Sequence, residues 1–218
     1  LVTPAVPAAA ARPTDHLPES VVVTGTGAVF GEPDVLTADF AVEADAPAVD
    51  SALTRASAAA TRMRDALVHA GVARADLRTS DVSINSRRKG EKITGYTVVQ
   101  GLTAKIRNLP RAGALMSTAI TSGGDAARLN SASFGLENDA ALLAEARKKA
   151  FADARGKAEL YAREAHRPLG RVIRVTEDGT GSAGPSPLRG LAYADQAVPV
   201  EPGRQQLTAT ITVEWSLT

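Results

Sequence analysis

No cysteine occurs among the 218 residues, which removes thiol nucleophiles, disulfides and thiolate metal sites from the chemistry open to this chain. The compartment stays open, because an exported protein can lack disulfides. Histidine is nearly as scarce: His16, His69 and His166 form no His-x-x-x-His pair, so a helical zinc site has no ligands, and each reads as a surface or cap-region residue. Four Phe, three Tyr and one Trp offer little for large aromatic pockets or for base-stacking platforms. Neither sign of charge prevails. Twenty-five basic and 24 acidic residues leave +1, which implies no whole-molecule field for nucleic acid or acidic substrates. No run approaches the ~18 apolar residues of a helical membrane span.

Catalytic signatures are also missing. There is no G-x-S-x-G elbow, and Ser182 in GTGSAGPS has no evident histidine and acid partners. GTGAVFG at 25–31 has the wrong spacing for a dinucleotide fingerprint and leads into another β-rich run, where phosphate binding needs a helix N-terminus. A strand with bulges or close backbone approaches is expected there. The acid pairs Asp139 with Asp153 and Glu32 with Asp34 carry no sequence reason for a perturbed proton affinity. No catalytic, cofactor-binding or metal-ligating residue is therefore expected.

What the chain has in abundance is alanine, 42 residues of 218, which favours close packing through small side chains. Residues 1–20 hold Pro4, Pro7, Pro13 and Pro18 and read as a disordered Pro/Ala-rich tail. The chain starts at Leu1 and not Met, so this tail is expected to follow a removed targeting segment or an artificial start. From Val21 onward one α+β region is expected, to residue 218. VVVTGTGAVF is a short β-rich run, and DVLTADFAVEAD alternates so that Leu36, Ala38, Phe40 and Val42 share a buried face. A helix should start near Pro47 with Asp45 or Ala46 as cap, carry the stripe Val49, Leu53, Ala56, Ala60, Met63, Leu67 and Ala70, and stop at Gly71. DLRTSDVSINSRR and GYTVVQGLTAKIRN read as strands joined through KGEKIT. A second helix with Leu115, Met116, Ala119 and Ile120 follows Pro110 and ends at Gly123-Gly124, and ARLNSASFGLE is a further strand.

The order over 34–137, strand, helix, strand, strand, helix, strand, is that of a ferredoxin-like βαββαβ unit with both helices on one face of an antiparallel sheet. Residues 138–218 extend it with a long Ala-rich helix and C-terminal strands. That helix, DAALLAEARKKAFADARGKAELYAREAH, would span roughly 40 Å. Its apolar stripe reads as Leu143, Ala146, Ala150, Ala154, Ala158, Tyr161 and Ala165, with Leu142 and Phe151 off the stripe and free to serve a second contact. GTGSAGPSPLRG is a loop by composition, dispensable for folding together with the 1–20 tail; AYADQAVPV is a short strand broken by Pro199. In QQLTATITVEWSLT, Leu207, Ala209, Ile211, Val213 and Trp215 share one face.

VTGTG at 23–27, EPDVLTADFAVEA at 32–44, GVARADLRTSDVSI at 71–84, GYTVVQGLTAKIRNL at 95–109, EARKKAFADARGKAELYA at 145–162, PLG at 168–170 and VEPGRQQLTATITVEWSL at 200–217, in this order, resemble the SIMPL-domain family of bacterial envelope proteins. The resemblance covers nearly everything after the tail. It departs at His166-Arg167, where the family usually carries a glycine after the long helix, and this leaves open how sharply that helix ends. The resemblance implies an exported, periplasmic or lipid-anchored protein linked to oxidative-stress defence, and family members include one that assembles into a large hollow oligomer. It implies no catalytic residues. The alanine- and arginine-rich composition is similar to that of high-GC actinobacteria, whose family members are often lipoproteins; a lipidated cysteine would then lie upstream of Leu1.

Arg87, Arg88, Lys89 and Lys92 form the one concentrated basic patch, on an expected hairpin tip and interrupted by Glu91. A solvated turn, an acidic partner and a lipid headgroup are the readings it admits, with nucleic acid disfavoured by the lack of interleaved aromatics. With Leu142, Phe151 and Tyr161 of the long helix, these residues make up the expected interaction surface. The expected function is that of a non-enzymatic exported envelope protein that self-associates or contacts other proteins; the alternative is a small-ligand-binding module.

Overall fold

A computed structural model of the chain describes residues 19–182 and 202–218. It is a mixed α/β arrangement with two sheets and three α-helices: β1 Ser20–Gly31, β2 Val35–Ala46, α1 Val49–His69, β3 Leu77–Lys89, β4 Lys92–Ile106, α2 Ala112–Gly123, β5 Ala127–Gly135, α3 Ala140–Glu164, β6 Leu169–Ser182 and β7 Gln205–Leu217. One sheet has the order β1-β7-β6, the other β3-β4-β2-β5. The described residues divide into two compact units, 19–27, 147–179 and 209–218 in the first, 28–146, 180–182 and 202–208 in the second.

In the second unit the four-stranded sheet is antiparallel throughout, with Phe40 of β2 opposite Leu102 of β4 and Leu129 of β5. The alternation in β2 puts Leu36, Ala38, Phe40 and Val42 into one cluster with Met63 and Leu67 of α1 and Leu115, Met116 and Ala119 of α2. Both helices thus share a core with one face of the sheet. Burying a side chain of the size of Phe40 or Leu36 contributes ~1.5–3 kcal/mol as an upper bound.

Leu53, expected in this interior, is 39% exposed, while Ala52, Ala56 and Ala59 are fully or almost fully buried. α1 turns its alanines inward, so its backbone can lie close to α2 and the sheet. Asp45 and Ala46, expected as its cap, are the last residues of β2, and the cap position belongs to Ala48 in an extended conformation. At the other end Gly71, with φ 106°, lets Val72 N–H reach the Leu67 carbonyl at 3.0 Å, the closure expected of a helix-ending glycine.

In the first unit α3 buries Ala150, Ala154, Ala158 and Ala162, each at most 2% exposed. The Gly25 position of β1 lies so close that a Cβ there would stand 2.1 Å from the Ala150 carbonyl oxygen and 2.6 Å from the Ala154 Cβ. The expected stripe is corrected at its C-terminal end: Tyr161 is 55% exposed, Ala165 is exposed, and Ala162 takes the inward place. The strict step of four follows an i+4 ridge, which is inclined to the helix axis. Phe151 leans on Trp215 of β7, ring centroids 6.0 Å apart and planes at 56°.

α3 ends sharply without a glycine. His166 takes φ 56°, its N–H donates to the Arg163 carbonyl at 3.0 Å, and Arg167 N–H donates to the Ala162 carbonyl at 2.9 Å. This is the paired closure that glycine normally supplies, here adopted by a histidine and followed by Pro168. Two further boundaries move. Glu19 accepts a hydrogen bond from Leu217 N–H and pairs with Arg167, and Ser20 opens β1, so neither belongs to a tail. β6 runs through Ser182, into the stretch expected to be a loop. The rest of that loop, residues 1–18 of the tail and the expected strand AYADQAVPV lie outside the described residues.

Candidate interaction surfaces

β3 and β4 form a long hairpin closed by Gly90-Glu91, and Gly90 carries the positive φ of 63° that such a two-residue turn needs. The tip holds Arg87, Arg88, Lys89 and Lys92, all exposed. Only Arg87 is engaged: it pairs with Asp45 at 3.1 Å, and Asp45 also accepts a hydrogen bond from the Thr97 hydroxyl. The side chains of Arg88, Lys89 and Lys92 have no ion pair or hydrogen bond among the described residues. β3 is an edge strand. Val82 and Ile84 are 52% and 48% exposed, although their cross-strand neighbours include fully buried Val98.

The residues singled out on α3 separate. Leu142 packs within the second unit, where a Cβ at Gly31 would come within 2.5 Å of its Cδ1. Phe151 is half-buried against Trp215. Tyr161 alone of the three stands in solvent, beside Leu160 at 47% exposed.

A surface missed from the sequence is β6. Among the described residues it is the edge of its sheet opposite to β1, and all of 171–179 is exposed, with Val172 at 40%, Ile173 at 45% and Val175 at 52%. Adjacent valine and isoleucine point to opposite faces of a strand, so β6 offers apolar surface on both. Its acids are engaged elsewhere: Glu177 accepts from Arg147 Nε at 2.9 Å and Asp178 from the Thr212 hydroxyl. The string RVIRV carries no sign that, among the described residues, neither face is covered.

The strongest electrostatic features knit the units internally. In the first, Asp153 accepts from Lys157 Nζ at 2.7 Å and Thr26 N–H at 2.9 Å, and Lys157 Nζ also reaches the Thr24 carbonyl. The Lys157 bond, then the Thr26 bond, hold the Asp153 carboxyl below the usual range. In the second, Asp34 accepts from Glu137 N–H at 2.6 Å and Asn138 N–H at 3.0 Å, and the Glu137 bond is the main cause of its lowered pKa. Glu137 is itself lowered by Arg107 and then Lys105, and Arg107 is raised by Glu137 and Asp76. The first cluster ties the middle of α3 to β1, and the second anchors the segment that precedes α3. No group of three or more His, Asp or Glu side chains that could hold a metal ion occurs among the described residues.

A shallow cleft of about 460 Å³ in the second unit is lined by Glu43, Asp45, Arg55, Arg62 and Asp125 among others. Arg55 donates to the Asp45 carbonyl at 3.0 Å and Arg62 to the Ser122 carbonyl at 3.2 Å, so both guanidinium groups are tied to their own chain. Every buried side-chain nitrogen and oxygen among the described residues has a partner, including Gln205, which donates to the Phe134 carbonyl. A ligand would find no convergent buried polar group there.

Comparison with known proteins supplies the context. The chain is 30% identical over 222 residues to the 26 kDa periplasmic immunogenic protein of Brucella melitensis biotype 1, strain 16M, covering 92% of this chain and 85% of that protein. The same figures hold for the 26 kDa periplasmic immunogenic protein of Brucella abortus, strain S19. Neither name speaks of an actinobacterium or a lipoprotein. Residues 21–215 match the family described as SIMPL, protein of unknown function (DUF541). Over nearly its whole length, then, the chain belongs to the SIMPL family.

Proposed function

We propose that this chain is a non-enzymatic protein of the cell envelope or periplasm that works through protein contacts, first of all with copies of itself, and that the β6 edge is the contact. The observation that carries this is an edge strand with three large aliphatic residues exposed over both faces. Unpaired edge N–H and C=O groups template pairing with another strand, and proteins that stay monomeric blunt them with bulges, prolines or dense charge. Between Arg171 and Val175, β6 has two arginines and no proline. A second copy meeting β6 edge to edge would place aliphatic side chains on both sides of the new ladder, closing about a two-fold axis. The compartment is taken from the periplasmic relatives, and the four-stranded sheet with α1 and α2 is read as a ferredoxin-like unit from its strand order. Links to stress defence and lipidation upstream of Leu1 rest on the resemblance alone.

The test is solution mass across a dilution series for the wild-type chain and for Ile173→Glu. Burying a carboxylate at the contact without a partner is costly. The wild type should show an assembly that dissociates on dilution, and I173E should be monomeric with an unchanged far-UV spectrum. A wild-type monomer at every concentration would overturn the proposal, as would an I173E assembly of unchanged mass.

A further inference from the structure

Independently of self-association, we infer that the β3–β4 hairpin is a docking element for an anionic lipid surface. Its tip holds four cations against the single carboxylate of Glu91, and three of those cations, Arg88, Lys89 and Lys92, are unpaired among the described residues. Directly opposite Arg88 in the ladder stands Ile93, 42% exposed. On β3 itself Val82, Ile84 and Arg88 share one face with Ile93, and Lys89 shares the other with Lys92, so cations flank the tip on both faces. The aliphatic rim and the cations together run over roughly 20 Å from Val82 to Arg88.

That combination selects among anionic partners. A folded acidic protein presents fixed carboxylates and rewards guanidinium groups held in place, whereas Arg88, Lys89 and Lys92 are held by nothing. Nucleic acid rewards stacking, and no aromatic side chain lies on β3 or in the turn. A headgroup layer presents diffuse negative charge directly above hydrocarbon, which suits unanchored cations beside exposed Ile93, Ile84 and Val82. The hairpin would meet the surface tip first, Ile93 toward the acyl boundary and the cations of both faces at the phosphates.

The experiment is co-sedimentation of the full chain with phosphatidylglycerol-containing vesicles and with pure phosphatidylcholine vesicles. Each cation contributes about fivefold to partitioning onto an anionic surface. Binding should therefore be confined to the anionic vesicles and released by high salt. The triple variant R88E/K89E/K92E should lower the partition coefficient on the order of 100-fold or more. Those side chains are exposed and unpaired, so its melting temperature and solution mass should stay those of the wild type. Ile93→Ser should weaken binding severalfold while leaving the salt dependence unchanged. Equal binding to both vesicle types, or full binding by the folded triple variant, would overturn the inference. So would displacement by inorganic phosphate matched to the lipid phosphate, which would assign the cations to a soluble anion.

Discussion

Gly25 is extended backbone, absent from the positions of positive φ, so any penalty for a side chain there is spatial and not conformational. A Cβ at this position would stand 2.1 Å from the Ala150 carbonyl oxygen and 2.6 Å from both the Cβ and the backbone nitrogen of Ala154, where contacts below 3.0 Å are essentially never seen. Gly25→Ala must move the backbone of α3 away from β1, because the obstructing atoms are not the ends of flexible chains. Overpacking of this kind costs ~1–3 kcal/mol, offset by ~0.4–1 kcal/mol from the stiffer unfolded chain. For a domain of this size each kcal/mol moves the melting temperature by about 2–4 °C, so a fall of several degrees is expected by thermal denaturation. The matched control is Gly156→Ala in the exposed middle of α3, where nothing lies within 4 Å. There alanine should stabilise by ~1 kcal/mol. A G25A protein as stable as the wild type would refute close packing of the α3 alanines on β1.

Phe151→Glu should destabilise the first unit, not merely disperse an assembly, because Phe151 packs on Trp215; loss of cooperative melting near the wild-type temperature checks this. His166→Gly should stabilise by ~1 kcal/mol in urea denaturation, since a non-glycine residue in the left-handed region costs ~1–2 kcal/mol and the closing bonds are backbone bonds that glycine keeps. Asp34, Glu137 and Asp153 all have lowered folded pKa values, so their stabilisation is complete above the ordinary values of 3.8 and 4.5 and is lost as pH falls through the lower folded values. Melting temperature should therefore hold from neutral pH to about 5 and drop below 4, and Asp34→Asn should shrink that drop; a rise on acidification would contradict the sign.

The elements were largely legible where large and small residues alternate. Leu36, Phe40 and the Leu207–Trp215 face stood out because period-2 patterning reports burial directly. The helices are less legible, for one reason. Large apolar residues dominate a periodicity, whereas α1 and α3 bury alanines, so the pattern points Leu53 and Tyr161 inward where Ala52, Ala59 and Ala162 lie. The same bias made Leu142 and Phe151 look spare when Gly31 and Trp215 receive them. The end of α3 could not be read from His166, because a left-handed histidine leaves no compositional trace. The exposure of β6 depends on its place at a sheet edge, which is a property of strand order and not of the string RVIRV.

The most direct measurement of contact through β6 is amide hydrogen exchange of residues 171–179 at high and low protein concentration. Edge-to-edge pairing requires the outward N–H groups of β6 to become protected as concentration rises, while those of β3 keep their rates. Exchange in 171–179 that is fast and independent of concentration, in a sample whose mass shows it assembled, would contradict the β6 contact.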